Sequence, residues 1–233
     1  MHTSHSRNCT PKILKAAILL AVLSAFFGCG SSPKAYSEET GSGPRFVVEL
    51  SPGEYYQTST RWFLFSIPVY PQVAVWAERP DGTFAGTIFV TEKGAKEKWV
   101  SAPKAGRPEA LPVWSHLRQG APDAVSAATA KGETRYGSQL AADLPPGEYL
   151  IKLETNRSYD YNHTFTRQNS GVAGQPSLIY TARLSVGNGP DQSWFEPVGT
   201  GSPDGSSGLI SEGLSGIDTA LKLFSSMTVS YRE

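Results

Sequence analysis

The amino-acid sequence predicts an all-β domain, a sandwich of short strands with long loops. Three observations lead there. Short runs of β-branched and aromatic residues recur at roughly 8–12-residue spacing, the rhythm of sandwiches and barrels. Clusters of Pro, Gly, Ser and Asp punctuate the runs. Helix-period patterning is confined to residues 109–118 (EALPVWSHLR) and 215–224 (SGIDTALKLF), which predicts one or two short helices.

The strands follow in order. Residues 45–50 (RFVVEL) read as a strand ending at the turn Ser51-Pro52-Gly53. Residues 61–66 (RWFLFS) predict a second. Pro68 and Pro71 interrupt it and place that segment at an edge or a crossover, because proline cannot donate to a ladder. Residues 73–78 (VAVWAE) and 83–91 (TFAGTIFVT) flank the turn Pro80-Asp81-Gly82 and predict a hairpin. Residues 134–140, 148–156 (EYLIKLETN), 177–186 (SLIYTARLSV) and 227–232 (MTVSYR) complete the set. The turn Pro145-Pro146-Gly147 feeding an alternating strand reads as a late hairpin. Together these elements predict an immunoglobulin-like β-sandwich. Residues 156–175 and 187–208, rich in Gly, Ser and Asn, are expected as loops and as the place for a contact surface.

Ahead of this domain the chain reads as an export signal. Residues 1–15 carry Arg7, Lys12 and Lys15 and no acid; residues 16–27 (AAILLAVLSAFF) are apolar. The apolar run is shorter than the roughly 20 residues needed to span a bilayer. The segment Ser24-Ala25-Phe26-Phe27-Gly28-Cys29 resembles a bacterial lipobox, with a small residue at −1, Cys at +1 and Phe26 at −3. That resemblance implies lipidation of Cys29, with enough acyl chains for stable anchoring. Gly30, where Asp would retain the protein at the inner membrane, points to the outer membrane, facing the periplasm. Three regions are expected: residues 1–28 as signal peptide, 29–44 as lipidated Cys and flexible tether, and 45–233 as the β-sandwich.

Charge narrows the functional classes. The chain has 21 basic and 21 acidic residues, and the signal takes away three basic ones, leaving 18 against 21, a formal charge of −3. That argues against nucleic acid and against a polybasic membrane patch. Cys9 leaves with the signal and Cys29 would carry lipid, so no disulfide framework is expected. His116 and His163 lack metal-ligand spacing. Asp191, Glu196 and Asp204 lack the ligand rhythm of a calcium loop. No GxSxG elbow, GxGxxG or P-loop lysine motif is present. Trp76 sits inside an apolar strand and is expected in the core; Trp99, Trp114 and Trp194 lie beside loops, where they would cover the rim or stack a ligand.

Residues 123–132 (DAVSAATAKG) resemble the flavinylation motif of extracytoplasmic flavoproteins. The resemblance implies Asp123 as the acid of the motif, Ser126 as its hydroxyl residue and Thr129 as the acceptor of FMN through a phosphoester. Ala127 stands where the common form has Gly. Several blocks, among them VAVWAERPDGTF, RPEALPVWSHLR and LPPGEYLIKLETNRSYDYN, resemble domain of unknown function family 2271, a family of predicted periplasmic proteins. That resemblance implies a β-rich extracytoplasmic domain, and an accessory role beside membrane flavin-reductase or iron-uptake systems, with a membrane redox protein as partner. Three functional readings follow. The chain is a non-enzymatic accessory or binding module, or an electron carrier with FMN on Thr129, or, with no motif in its favour, a hydrolase.

Intact mass of the protein co-expressed with a flavin transferase tests two expectations at once. Lipidation of Cys29 adds the mass of its acyl groups. Flavinylation adds one FMN less water, and that gain disappears in Thr129→Ala.

Overall fold

Alternation decides which face of each strand is buried, and the computed structural model shows where each face points. It describes residues 42–96, 106–118 and 131–233, with strand segments at Ala35–Ser37 and Ser126–Ala127. These residues belong to one compact unit beginning at Ser32. In chain order they form β1 (Ala35–Ser37), β2 (Arg45–Pro52), β3 (Thr58–Trp62), β4 (Phe65–Val69), β5 (Gln72–Glu78), β6 (Phe84–Thr91), α1 (Glu92–Lys96), α2 (Pro112–Leu117), β7 (Ser126–Ala127) and β8 (Thr134–Ser138). Then come β9 (Gly147–Asn156), α3 (Arg167–Ser170), β10 (Leu178–Val186), β11 (Asp191–Trp194), β12 (Glu196–Thr200), β13 (Ser211–Glu212) and β14 (Phe224–Arg232), with 3-10 turns at Gln139–Asp143 and Thr219–Lys222.

The strands build an all-β sandwich, as expected. One sheet has the order β1-β8-β2-β14-β11, the other β13-β12-β10-β9-β5-β6-β7; among the described residues β3 and β4 pair only with each other. Pairing is antiparallel except for β1 on β8 and β7 on β6. Between the sheets, Phe46, Val48 and Leu50 of β2 and Val229 and Tyr231 of β14 meet Val75, Ile151, Leu153 and Leu184 in one core. The rings of Phe89 and Tyr136 stack across it at 3.6 Å between centroids.

The seven-stranded sheet is covered on its other face too. Helix α2 lays Val113 and Trp114 over Ala74, Trp76, Val90 and Ile179. This is why β5 is buried along its whole length and reads as a continuous apolar run. Glu154 of β9 anchors the helix. Its carboxylate is fully buried and accepts from the backbone N–H of Val113 (3.2 Å) and Trp114 (2.8 Å) and from the Ser177 hydroxyl (2.7 Å). Leu111 at the N-cap offers no side-chain bond, so a carboxylate from another element caps the helix.

Several expectations change. The predicted strand 61–66 is split: Phe63 and Leu64 form a two-residue hairpin tip, and Trp62 pairs with Phe65. The stretch 187–208 contains β11 and β12 rather than one loop. The Pro145-Pro146-Gly147 turn joins β8 in one sheet to β9 in the other, a crossover and not a hairpin. Part of the expected tether, Ala35–Ser37, pairs with β8. Trp114 is buried at 1 % exposure, while Trp76 is core as expected. No helix among the described residues is long and apolar enough to cross a membrane.

Burial pushes the Glu154 carboxyl up to about 7, against the opposing pull of the Trp114, Ser177 and Val113 donors. The folded state therefore holds a proton that the unfolded chain releases near its ordinary value of 4.5. Stability from this group is complete below about pH 4.5 and is lost as pH rises through about 7, on the order of 3 kcal/mol across the window. Thermal melts from pH 5 to pH 8 should show this decline, and Glu154→Gln should flatten it.

Candidate functional site: a polar trough on the five-stranded sheet

Among the described residues, no helix covers the outer face of the five-stranded sheet. Inward positions of β2 carry Phe46, Val48 and Leu50, so Glu49 and Ser51 point outward. The pairing registers bring distant segments into one line: Arg135 lies opposite Glu49, Glu49 opposite Thr228, and Thr228 opposite Trp194. Four strands thus carry one row of side chains, roughly 14 Å long at the usual strand spacing. A neighbouring row places Val47 between Gly137 and Ser230, with Gln192 beyond.

Side-chain size makes this face concave. Its floor consists of small residues: Thr228 is buried although it faces outward, and Ser51 and Ser226 continue the floor. Taller side chains rise on both sides, Trp194 and Gln192 on one and Glu49, Glu133 and Arg135 on the other. The trough they enclose has a volume of about 290 Å³, at the small end of the range for ligand pockets, about 300–1,000 Å³. The Arg135 guanidinium lies 3.6 Å from the Glu49 carboxylate, and both remain open to solvent. Trp194 is 63 % exposed. A trough with one flat apolar wall and one wall of paired donors and acceptors can hold a ligand that is itself two-faced.

The residues singled out from the sequence fall elsewhere. Cys29, Asp123, Thr129 and Trp99 lie outside the described residues. Ser126 opens β7, and its backbone pairs beside Val90 at the edge of the seven-stranded sheet. Of the candidate tryptophans, Trp194 lines the trough. Glu49, Arg135, Gln192 and Thr228 are absent from any sequence motif. Their only signal is a polar residue at the outward position of an alternating strand, and nothing local says which strands will pair.

The expected contact loop 156–175 is tied down. Asp160 accepts from Arg157 and from the Thr219 hydroxyl (2.7 Å), and Arg157 also donates to the Tyr55 carbonyl. Gln175, fully buried, donates to Thr219 (2.6 Å) and accepts from the Asp218 N–H (2.9 Å). Asn156 donates to the Gln175 carbonyl at 2.9 Å. Burial raises the Asp160 carboxyl above its ordinary range, with Thr219 and Arg157 pulling it back. The loop therefore closes one end of the sandwich.

Other candidates dissolve into local structure. His116 Nδ1 bonds the Pro112 carbonyl of its own helix at 2.8 Å. Asp204 accepts from Ser202 and Ser206, which hold its carboxyl well below the usual carboxylate range. Asp191 accepts from the Ser185 N–H at 2.8 Å. Among the described residues no group of three His, Cys, Asp or Glu side chains gathers as a metal site would require.

Comparison of the chain with family models, curated proteins and solved structures finds no match.

Removing one partner of the buried pair tests the loop's role. Asp160→Ala strands the Arg157 guanidinium, which is 6 % exposed, and should lower stability by about 3–5 kcal/mol in chemical denaturation. Trp194→Ala, at an exposed position, should lie within about 0.5 kcal/mol of the native protein.

Proposed function

We propose that this chain is a non-enzymatic binding module of the cell envelope, lipid-anchored through Cys29, and that the trough is its ligand seat. The observation that carries the reading is Trp194, an exposed indole facing a row of hydrogen-bonding side chains across a floor of small residues. At 63 % exposure the indole offers an apolar face beside polar neighbours, which is a two-faced contact surface. The chemistry of the seat selects the ligand. An indole face stacks on a surface of C–H groups. The carboxylate of Glu49, the guanidinium of Arg135 and the amide of Gln192 offer planar sets of donors and acceptors. A sugar ring, apolar on its faces and hydroxylated at its rim, matches both features.

The seat's location supports binding rather than catalysis. It lies on strands whose positions the core fixes, so its side chains need little reorganisation on binding. The deeply buried carboxylates, Glu154 and Asp160, belong to the helix cap and the loop closure, away from this face. The accessory role expected from the sequence needs no chemistry beyond such a seat.

Affinity electrophoresis through gels containing neutral polysaccharides, among them β-glucans and mannans, tests the reading. At least one polysaccharide should retard the native protein, and Trp194→Ala should weaken that retardation about tenfold. Retardation by none of them, or equal retardation of native and Trp194→Ala protein, removes the sugar-binding reading.

A further inference from the structure

The β3–β4 hairpin stands apart from both sheets and carries its apolar residues at the tip. Phe63 is 88 % exposed, Leu64 87 % and Phe65 68 %, and Ile67 follows them on β4. The turn is tight, with Trp62 paired to Phe65. Phe63 has φ of +58°, a conformation that two-residue hairpin turns normally assign to Gly, Asn or Asp. An aromatic residue there works against the backbone and, in water, against its own solvation. Backbone strain at an exposed tip points to a use for the side chain.

The registers place this tip at a particular end of the sandwich. The hairpin lies between the end of β2 at Pro52 and the start of β5 at Gln72. Ala35 pairs with Thr134, and Thr134 with Leu50, so the chain enters the sheet at that same end. The closing loop 157–175 and the turn before β14 meet there through Arg157, Asp160 and Thr219. Val172 and Leu221 are exposed in those segments. Only five residues of chain lie between Cys29 and Ala35, a span of at most roughly 20 Å when extended.

We infer that the β3–β4 tip inserts into the surface of a lipid bilayer, so that the domain stands on the membrane with this end down. The choice of membrane rests on the proposed lipid anchor, which would tether this end close to one bilayer. The shape of the tip favours lipid over protein. A stable protein interface takes about 800 Å² from each partner over complementary surfaces. A narrow prong of a few apolar side chains offers far less, yet it suits the 5–10 Å depth to which interfacial segments sink. Arg61 on the flanking strand is exposed, where a cation can meet anionic headgroups.

The test uses the acylated protein, checked by intact mass, in vesicles of phosphatidylethanolamine and phosphatidylglycerol. An environment-sensitive fluorophore is attached at Leu64→Cys, and at Pro80→Cys in the exposed turn at the opposite end of β5. Acyl-chain bromines should quench the first severalfold more than the second. If intact mass shows no acyl groups, the anchor reading fails on that result alone, and the same probes on the unacylated protein mixed with vesicles decide the insertion. Without the acyl chains, Phe63→Ser combined with Leu64→Ser should weaken vesicle partitioning about 100-fold or more. Equal quenching at the two positions, or unchanged partitioning of the double variant, overturns the inference. So does a blue shift at Leu64→Cys that grows with protein concentration in vesicle-free buffer, which assigns the tip to a second copy of the chain.

Discussion

One carboxylate, sealed beneath a helix, settles which faces of the sandwich are free. Glu154 stands on the outer side of the seven-stranded sheet, where an unpaired acid would be costly to bury. It is tolerated because α2 brings two backbone N–H groups and Ser177 brings a hydroxyl. In return the helix is held over Ala74, Trp76, Val90 and Ile179, which would otherwise form an apolar patch. Both indoles on this face find partners: Trp76 Nε1 donates to Glu78 at 2.7 Å and Trp114 Nε1 to Thr87 at 3.0 Å. The seven-stranded sheet is thereby closed on both sides. Among the described residues the five-stranded sheet has no equivalent lid, and its outward residues line a trough.

That asymmetry was partly legible in the sequence. The run VAVWA announced a strand buried on both faces, whereas RFVVEL, with Glu among its apolar residues, announced one with a polar side. The short helical turn around Pro112 could be read, because proline suits a first helical turn. Its anchoring by Glu154, about 40 residues downstream, could not: a lone Glu inside EYLIKLETN looks like an ordinary solvent-facing position. The segment RWFLFS looked like one strand because apolar β-formers signal pairing but not reversal. No Gly or Asn marks the turn at Phe63, so the usual hairpin signature is missing.

The trough illustrates a deeper limit. Arg135, Glu49, Thr228 and Trp194 come from four segments spread over most of the domain, and each is unremarkable in its own strand. What joins them is register, which long-range pairing fixes and local propensity does not. Trp194 was misplaced for a related reason. DQSW is polar and short, so residues 187–208 read as loop, although β14 supplies every hydrogen bond that β11 needs to be a strand. The loop 156–175 misled in the opposite direction. Its Asn, Tyr and Ser content suggested a binding surface, but Asn156, Asp160 and Gln175 bond within the loop and to Arg157, Asp218 and Thr219.

The two unusual apolar features differ in how the fold supports them, and that difference bears on their roles. Trp194 stands on a strand paired along its length to β14, so its backbone is held in place by the sheet. Phe63 and Leu64 stand on a ribbon that neither sheet supports, and an isolated two-stranded hairpin is marginally stable in water. A held backbone suits recognition, where misplacement of even an ångström loses contacts. A yielding apolar prong suits a fluid bilayer, which asks for buried area rather than shape. The closed end formed by Arg157, Asp160 and Gln175 anchors the base of the hairpin through the Tyr55 carbonyl and contributes no residue to the trough.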